Sequence, residues 1–177
     1  MENYSTDIII IRGAPASGKS QTAKSLAKYF PKGARIEVDN LRNMVISVDW
    51  ENQVEHVNIL SLSTKLVVEY LQLGFRPAIV VDTFSGDKIL KYLADLKKLN
   101  NDLSIKIFGL YTTNEELKSR INCRGPEEFR DLNICIKLNG DVLKFKHSDE
   151  FQIDTTGLLP EQTAEVIYRQ IYQDIQT

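Results

Sequence analysis

One stretch constrains this chain more than any other: Gly13-Ala14-Pro15-Ala16-Ser17-Gly18-Lys19-Ser20. It fits G-x-x-x-x-G-K-[ST], and its flanks are those the pattern requires. A β-branched run, residues 7–12 (DIIIIR), precedes it and an amphipathic helical pattern follows. Gly13 and Gly18 allow backbone angles that other residues resist, so successive N–H groups can turn toward one phosphate. The positive end of the following helix adds to the attraction. Lys19 brings a point charge to the β- and γ-phosphates, and Ser20 offers a hydroxyl to Mg²⁺. The whole loop, with Gln21 beside it, is therefore expected to bind a nucleotide.

A strand that runs through such a loop into a helix is one unit of a parallel sheet, and the rest of the chain keeps the alternation. The helix after the loop carries Ala23, Leu26, Ala27 and Phe30 on one face and ends at Pro31 and Gly33. Residues 34–38 (ARIEV) read as a second strand. A long helix from about Gln53 to Leu73 carries Val54, Val57, Leu66, Val67, Tyr70 and Leu71, with Gly74 as its terminator. The third strand is 77–82 (PAIVVD), followed by a helix through Ile89, Leu90, Leu93 and Leu96. A fourth strand, 104–110, leads to Thr113-x-x-Glu116, a capping-box start. Residues 123 to about 147 are polar and irregular, which suits a mobile insertion. A short strand at 151–153 precedes a last helix with Pro160 near its start and Ala164, Ile167, Ile171 and Ile175 on one side. The expected fold is α/β with three layers: a five-stranded parallel sheet, helices on both faces, and one domain over residues 1–177 with a lid at about 120–140.

Composition narrows the function classes. The chain is 42% hydrophobic and 26% charged, ordinary for a globular protein and unlike a disordered one. A net charge of -2 gives no overall case for nucleic-acid binding, so a long nucleic acid is disfavoured while a nucleic-acid 5′ end stays open. No apolar run suggests a membrane span, and Met1-Glu2-Asn3-Tyr4 does not begin like a signal peptide. Cys123 and Cys135 are too few for a disulfide framework, and His56 and His147 stand too far off to complete a zinc site with them. A cytoplasmic location is expected.

Ligands of open parallel sheets bind beyond the carboxyl ends of the strands. Those ends offer Asp39, Asp82, Tyr111, Thr112, Asp154 and Thr155. Asp39 and Arg42 form D-x-x-R on an opening helical turn, a candidate base for an acceptor hydroxyl and a cation for an anionic group. The alternative is a capping Asp39 paired with Arg42 on the surface. Asp82 ends IVVD and could reach the metal or the acceptor, or simply cap the following helix. Thr83 stands where motor ATPases commonly carry a glutamate that orients the attacking water, which speaks against a hydrolytic engine. The guanine-selecting Asn-Lys-x-Asp is missing as well, and ATP is the expected nucleotide. Arg120 and Arg124, four apart and followed by Gly125, can face one side, as lid cations over the γ-phosphate or as solvated residues. Trp50 and His56 fall between Arg42 and the long helix, where an acceptor could bind, but read first as a half-buried Trp and a surface His; Lys137, Lys144 and Lys146 read as a solvated face.

In order and spacing, the phosphate loop, Asp39-x-x-Arg42, Asp82-Thr83 and Arg120-x-x-x-Arg124-Gly125 resemble the polynucleotide 5′-hydroxyl kinase, zeta-toxin and chloramphenicol phosphotransferase group of P-loop kinases. The resemblance covers about residues 7–130, with Ile153-Asp154-Thr155 also similar to small-molecule kinases of that group. It implies transfer of the γ-phosphate of MgATP to a hydroxyl of a small molecule, nucleotide or nucleic-acid end. Asp39 would be the general base, Arg42 the holder of an anionic group and Arg124 the lid arginine, with Lys19 at the reacting phosphate. An ATP-dependent switch with negligible transfer, or a toxin acting on a nucleotide-sugar, are the competing expectations.

Overall fold

A computed structural model describes residues 6–173, and its elements follow the alternation closely. They are β1 (Ile8–Gly13), α1 (Lys19–Ala27), β2 (Ala34–Glu37), α2 (Val38–Arg42), α3 (Gln53–Gln72), β3 (Ala78–Asp82), α4 (Lys88–Leu99), β4 (Ile105–Tyr111), α5 (Asn114–Asn122), α6 (Leu132–Lys144), β5 (Glu150–Asp154) and α7 (Pro160–Gln173). The first four residues and Ile175, placed above in a leader test and a helix face, lie outside the described residues.

The strands form one sheet in the order β2-β3-β1-β4-β5, and every pairing is parallel. β1 is buried along its whole length, which is why its isoleucines run without alternation: both faces are covered. Ile8 and Ile10 point to one face, where Leu60, Val67 and Leu71 of α3 and Ile89, Leu93 and Leu96 of α4 meet Ile36, Val80 and Ile107. Ile9 and Ile11 point to the other, against Leu26 of α1 and Ile167 and Ile171 of α7, with Val81, Phe108 and Leu110. The five-stranded parallel α/β sheet with helices on both faces is thus the fold of this chain.

Several expectations need correction. Residues 123–147 are irregular only in part: 123–131 form turns and bends, but α6 occupies 132–144. Asp131 caps it by accepting from the Ile134 N–H (2.9 Å), and Cys135, Asn139 and Val142 form its buried stripe, with Leu132 and Ile136 packed beside it. Asn139 is the polar member of that stripe. Its amide donates to the Thr112 carbonyl (2.7 Å) and accepts from the Thr112 N–H (3.2 Å), continuing the sheet's hydrogen bonding sideways. Leu132, Cys135, Ile136, Asn139 and Val142 recur at helical spacing, so the signal for this helix was present in the sequence. Val54 and Leu90, expected on inner faces, are exposed. The buried line of α3 runs instead through His56, Leu60, Ser63, Thr64, Val67 and Leu71. Thr113 does cap α5, accepting from the Glu116 N–H (3.3 Å).

Candidate active site

The phosphate loop follows β1 directly. A Cβ on Gly13 would collide with Ser17 Oγ and lie 2.7 Å from the Leu110 carbonyl, so only glycine fits where the loop leaves the sheet. Ala16 (φ 66°) and Gly18 (φ 95°) adopt left-handed backbone, which curls the loop back before α1 begins at Lys19. Lys19 Nζ donates to the Ala14 carbonyl (3.2 Å), lying inside the curl. Burial lowers its pKa, opposed by the charges of Asp39 and Asp82 and reinforced by Arg124. One ammonium therefore lies in the field of three of the predicted site residues. Ser17 Oγ is buried without a hydrogen-bond partner, an open polar position within the cradle.

Arg120 and Thr155 brace this loop from behind. Arg120 Nη1 donates to the Ser17 carbonyl (3.3 Å) and to Thr155 Oγ1 (3.1 Å), its Nη2 donates to the Thr155 carbonyl (2.6 Å), and its Nε to Glu116 (2.8 Å). Arg124 Nη1 donates to the Phe129 carbonyl (2.6 Å), and its Nε lies 3.4 Å from Glu128. Its charge still reaches Lys19 and Cys135. A small apolar cluster of Leu117, Ile121, Cys135 and the loop's own Ala16 joins α5 and α6 to the cradle.

Asp39 and Arg42 lie on α2, at the end of β2. Asp39 does not cap a helix: Glu37 occupies the N-cap of α2. Nor is Arg42 a surface partner of Asp39. It is 4% exposed, donates to the Asp49 carbonyl (3.0 Å), lies 4.0 Å from Glu55 and places its guanidinium 4.4 Å from the Trp50 ring centre. Trp50 itself is exposed rather than half-buried. Asp39 is open to water at the cleft mouth, yet its pKa is raised, first by the protein crowded around it and then by the charge of Asp82; Lys19 and Arg42 pull the other way.

Asp82 behaves oppositely. Burial pushes its pKa up, but a hydrogen bond from His56, the Phe84 N–H and the charge of Lys19 outweigh that and hold it below its ordinary value. Oδ1 lies 3.1 Å from His56 Nε2, and Oδ2 accepts from the Phe84 N–H (2.8 Å). It does not serve as the N-cap of α4, whose N-cap is Asp87. Phe84 carries φ 46°, a strained value for a bulky residue, and is fixed by complete burial against Tyr92, 4.9 Å away.

His56 is the residue that sequence reasoning misplaced. It is buried against Asp82, not on the surface. The signal was present: 56, 60, 63, 67 and 71 recur at helical spacing, so His56 belongs to the inner stripe of α3. Lys88, whose Nζ lies 3.3 Å from His56 Nδ1, was not singled out at all.

Among curated proteins none matches this sequence. Similar solved structures include a sugar kinase from Janibacter (17% identity, TM-score 0.68, 93% of each chain) and shikimate kinase from Acinetobacter baumannii (14%, 0.65, 97% of this chain and 96% of that one). Another is a chain of the Pnkp1/Rnl/Hen1 RNA repair complex (20%, 0.62, 82% of this chain but 47% of that one). These likenesses bear on the fold, that of P-loop kinases. Residues 8–134 match a family described as an AAA domain, a stretch running from β1 through the phosphate loop, Asp39, Asp82, Arg120 and Arg124, and the chain belongs to that family.

Proposed function

We propose that this chain is an ATP-dependent kinase that transfers the γ-phosphate to a hydroxyl of a small molecule, a nucleotide or a nucleic-acid 5′ end. The observation that carries the reading is the phosphate loop curled around Lys19, with Asp39 and Asp82 at the ends of the neighbouring strands β2 and β3 and within the field of its ammonium. Their surroundings push the pKa of Asp39 up and that of Asp82 down. Paired groups with opposite shifts mark a division of labour between base and permanent anion. Similar solved structures that include kinases support the reading.

The residues present fit a nucleotide. The loop carries an unpartnered Ser17 Oγ, a glycine whose Cβ would collide, and a lysine inside the curl. Gly13 to Ser20 and Gln21 would hold the phosphates, with Arg120 bracing the loop. Among the described residues no group of three or more His, Cys, Asp or Glu is placed to hold a metal. Mg²⁺ commonly needs only one or two carboxylates plus substrate phosphates, so Ser20 and Asp82 suffice as its protein partners. Bound there, it would neutralise charge developing on the transferred group.

Asp39 accepts the acceptor hydroxyl's proton, Lys19 and Arg124 stabilise charge on the phosphoryl oxygens, and Arg42 with Asp82 holds the acceptor. The test combines γ-labelled ATP with short 5′-hydroxyl oligonucleotides, nucleosides, sugars and hydroxylated antibiotics. With an active acceptor, Asp39→Asn is expected to cut transfer by about 10²–10⁴-fold while ATP affinity changes little. A fully active Asp39→Asn protein would remove the base from this mechanism.

A further inference from the structure

Behind Asp82, the structure carries two polar groups to which this reading assigns no task. From Asp82 on β3 the line passes through His56 on α3 and ends at Lys88 on α4. Lys88 Nζ donates to Gln53 Oε1 (2.7 Å) and lies 3.3 Å from both His56 Nδ1 and Ser85 Oγ. An ammonium only donates, so His56 Nδ1 must be the acceptor of that bond. An ionised carboxylate only accepts, so the ring proton sits on Nε2 and is donated to Asp82 Oδ1 (3.1 Å). The hydrogen-bond network thus assigns one tautomer to the ring. With Phe84 N–H on Oδ2, both carboxylate oxygens are held and the plane of Asp82 is fixed.

We propose that His56 and Lys88 are positioning residues for Asp82: Lys88 sets the tautomer of His56, and His56 aims the Asp82 carboxylate at the phosphate-loop cleft. The arrangement has the logic of a metal-site outer shell, in which a partner on one ring nitrogen fixes the role of the other. Each member comes from a different element, so the line also registers the starts of α3 and α4 against the end of β3. Asp82 then meets the cleft in a single orientation, with no need to reorganise when charge arrives. A side chain that only filled space would require neither the donor on Nε2 nor the acceptor on Nδ1. This inference rests on the kinase reading for what Asp82 does, but not for how Asp82 is held.

The test separates the two. The chain has two histidines, so nitrogen-15 spectra of the histidine rings, assigned with His147→Asn, read the His56 tautomer directly. The expected result is an Nε2-protonated ring whose tautomer bias is lost in Lys88→Met. An Nδ1-protonated or averaged ring in the parent protein overturns the proposal whether or not an acceptor is known. With an active acceptor, His56→Leu is expected to lower kcat by about 10–100-fold at nearly unchanged KM for ATP. His56→Gln, whose amide can both donate and accept, is expected to restore most of the loss. Equal impairment of both variants, or of neither, also overturns it. Failure of the kinase reading looks different: no transfer by the parent protein to any acceptor, with the tautomer intact.

Discussion

Asp39 and Asp82 show how a residue's surroundings decide its chemistry. Both are aspartates at the sheet's edge, and both feel Lys19. Asp82 gains hydrogen bonds to its charged form, whereas Asp39 gains chiefly crowding and a like charge. The sign of the resulting stability change follows. A group whose folded pKa is raised contributes stability below its unfolded pKa and loses it as pH rises through the folded pKa. Ionised Asp39 therefore burdens the fold near neutral pH, less than a dry carboxylate would because water reaches it. Asp39→Asn is expected to raise the unfolding temperature near neutral pH, with the advantage disappearing at about pH 4, where an ordinary aspartate titrates. A neutral-pH scan in which the variant melts at or below the parent temperature would contradict this. Lys19 makes a simpler case. Lys19→Ala deletes a charge-assisted phosphate contact, of order 1.5–3 kcal/mol, and calorimetry should show ATP affinity falling by roughly tenfold or more.

At the scale of elements, α5 and α6 pack on each other and on Ala16 of the phosphate loop, which is where we place the proposed response to a nucleotide. Arg124 lies two residues past the end of α5, the segment after it folds back through Glu128 and Phe129, and α6 covers the loop with Cys135. Arg124 is committed to a backbone carbonyl and a partly exposed glutamate, both weak claims on a guanidinium, while Arg120 is locked into the phosphate-loop brace by four hydrogen bonds. The two arginines thus separate into a fixed one and a releasable one. Arg124→Ala is expected to depress the transfer rate far more than ATP affinity, because its charge matters most as the phosphoryl group leaves. Equal losses in kcat and in calorimetric affinity would make it a ground-state binding residue only.

At the scale of the whole molecule, one buried ion pair ties the two ends of the chain to the site. Arg12, the last side chain of β1 before the phosphate loop, is completely buried and donates through Nη1 to Glu150 on β5 (3.2 Å) and to the Phe145 carbonyl after α6 (2.8 Å). Gly109 on β4 leaves the room, since a Cβ there would collide with Glu150 Oε1. Burial pushes both groups toward their neutral forms, lowering Arg12 and raising Glu150, and each opposes the shift of the other. Arg12 Nε and Nη2 and Glu150 Oε1 have no hydrogen-bond partner. Glu150→Met, which strands the guanidinium, is expected to cost about 3–5 kcal/mol in denaturant titration. Adding Arg12→Met should recover most of it, as apolar replacement of both members of a buried pair often does. A double variant no more stable than the single one would show that the pair is not coupled.

What the sequence determined by itself was whatever depends on neighbours along the chain. The isoleucine run, the glycine spacing of residues 13–20, the Thr113 cap and the strand-helix alternation are local, and they were enough for the parallel sheet and its loop. Asp39, Asp82, Arg120 and Arg124 were legible because motif spacing and strand ends point to one edge of such a sheet. Tertiary structure alone decided the partners. Asp82 meets His56 from 26 residues away, Arg120 meets Thr155 from 35, and Arg12 meets Glu150 from 138. Helical spacing could have put His56 on the inner face of α3, but not opposite Asp82, because that depends on where α3 crosses the sheet. What α6 covers is likewise visible only once β1, β4 and the phosphate loop supply the surface beneath it. Pairing across elements is set by packing, and packing depends on every element at once.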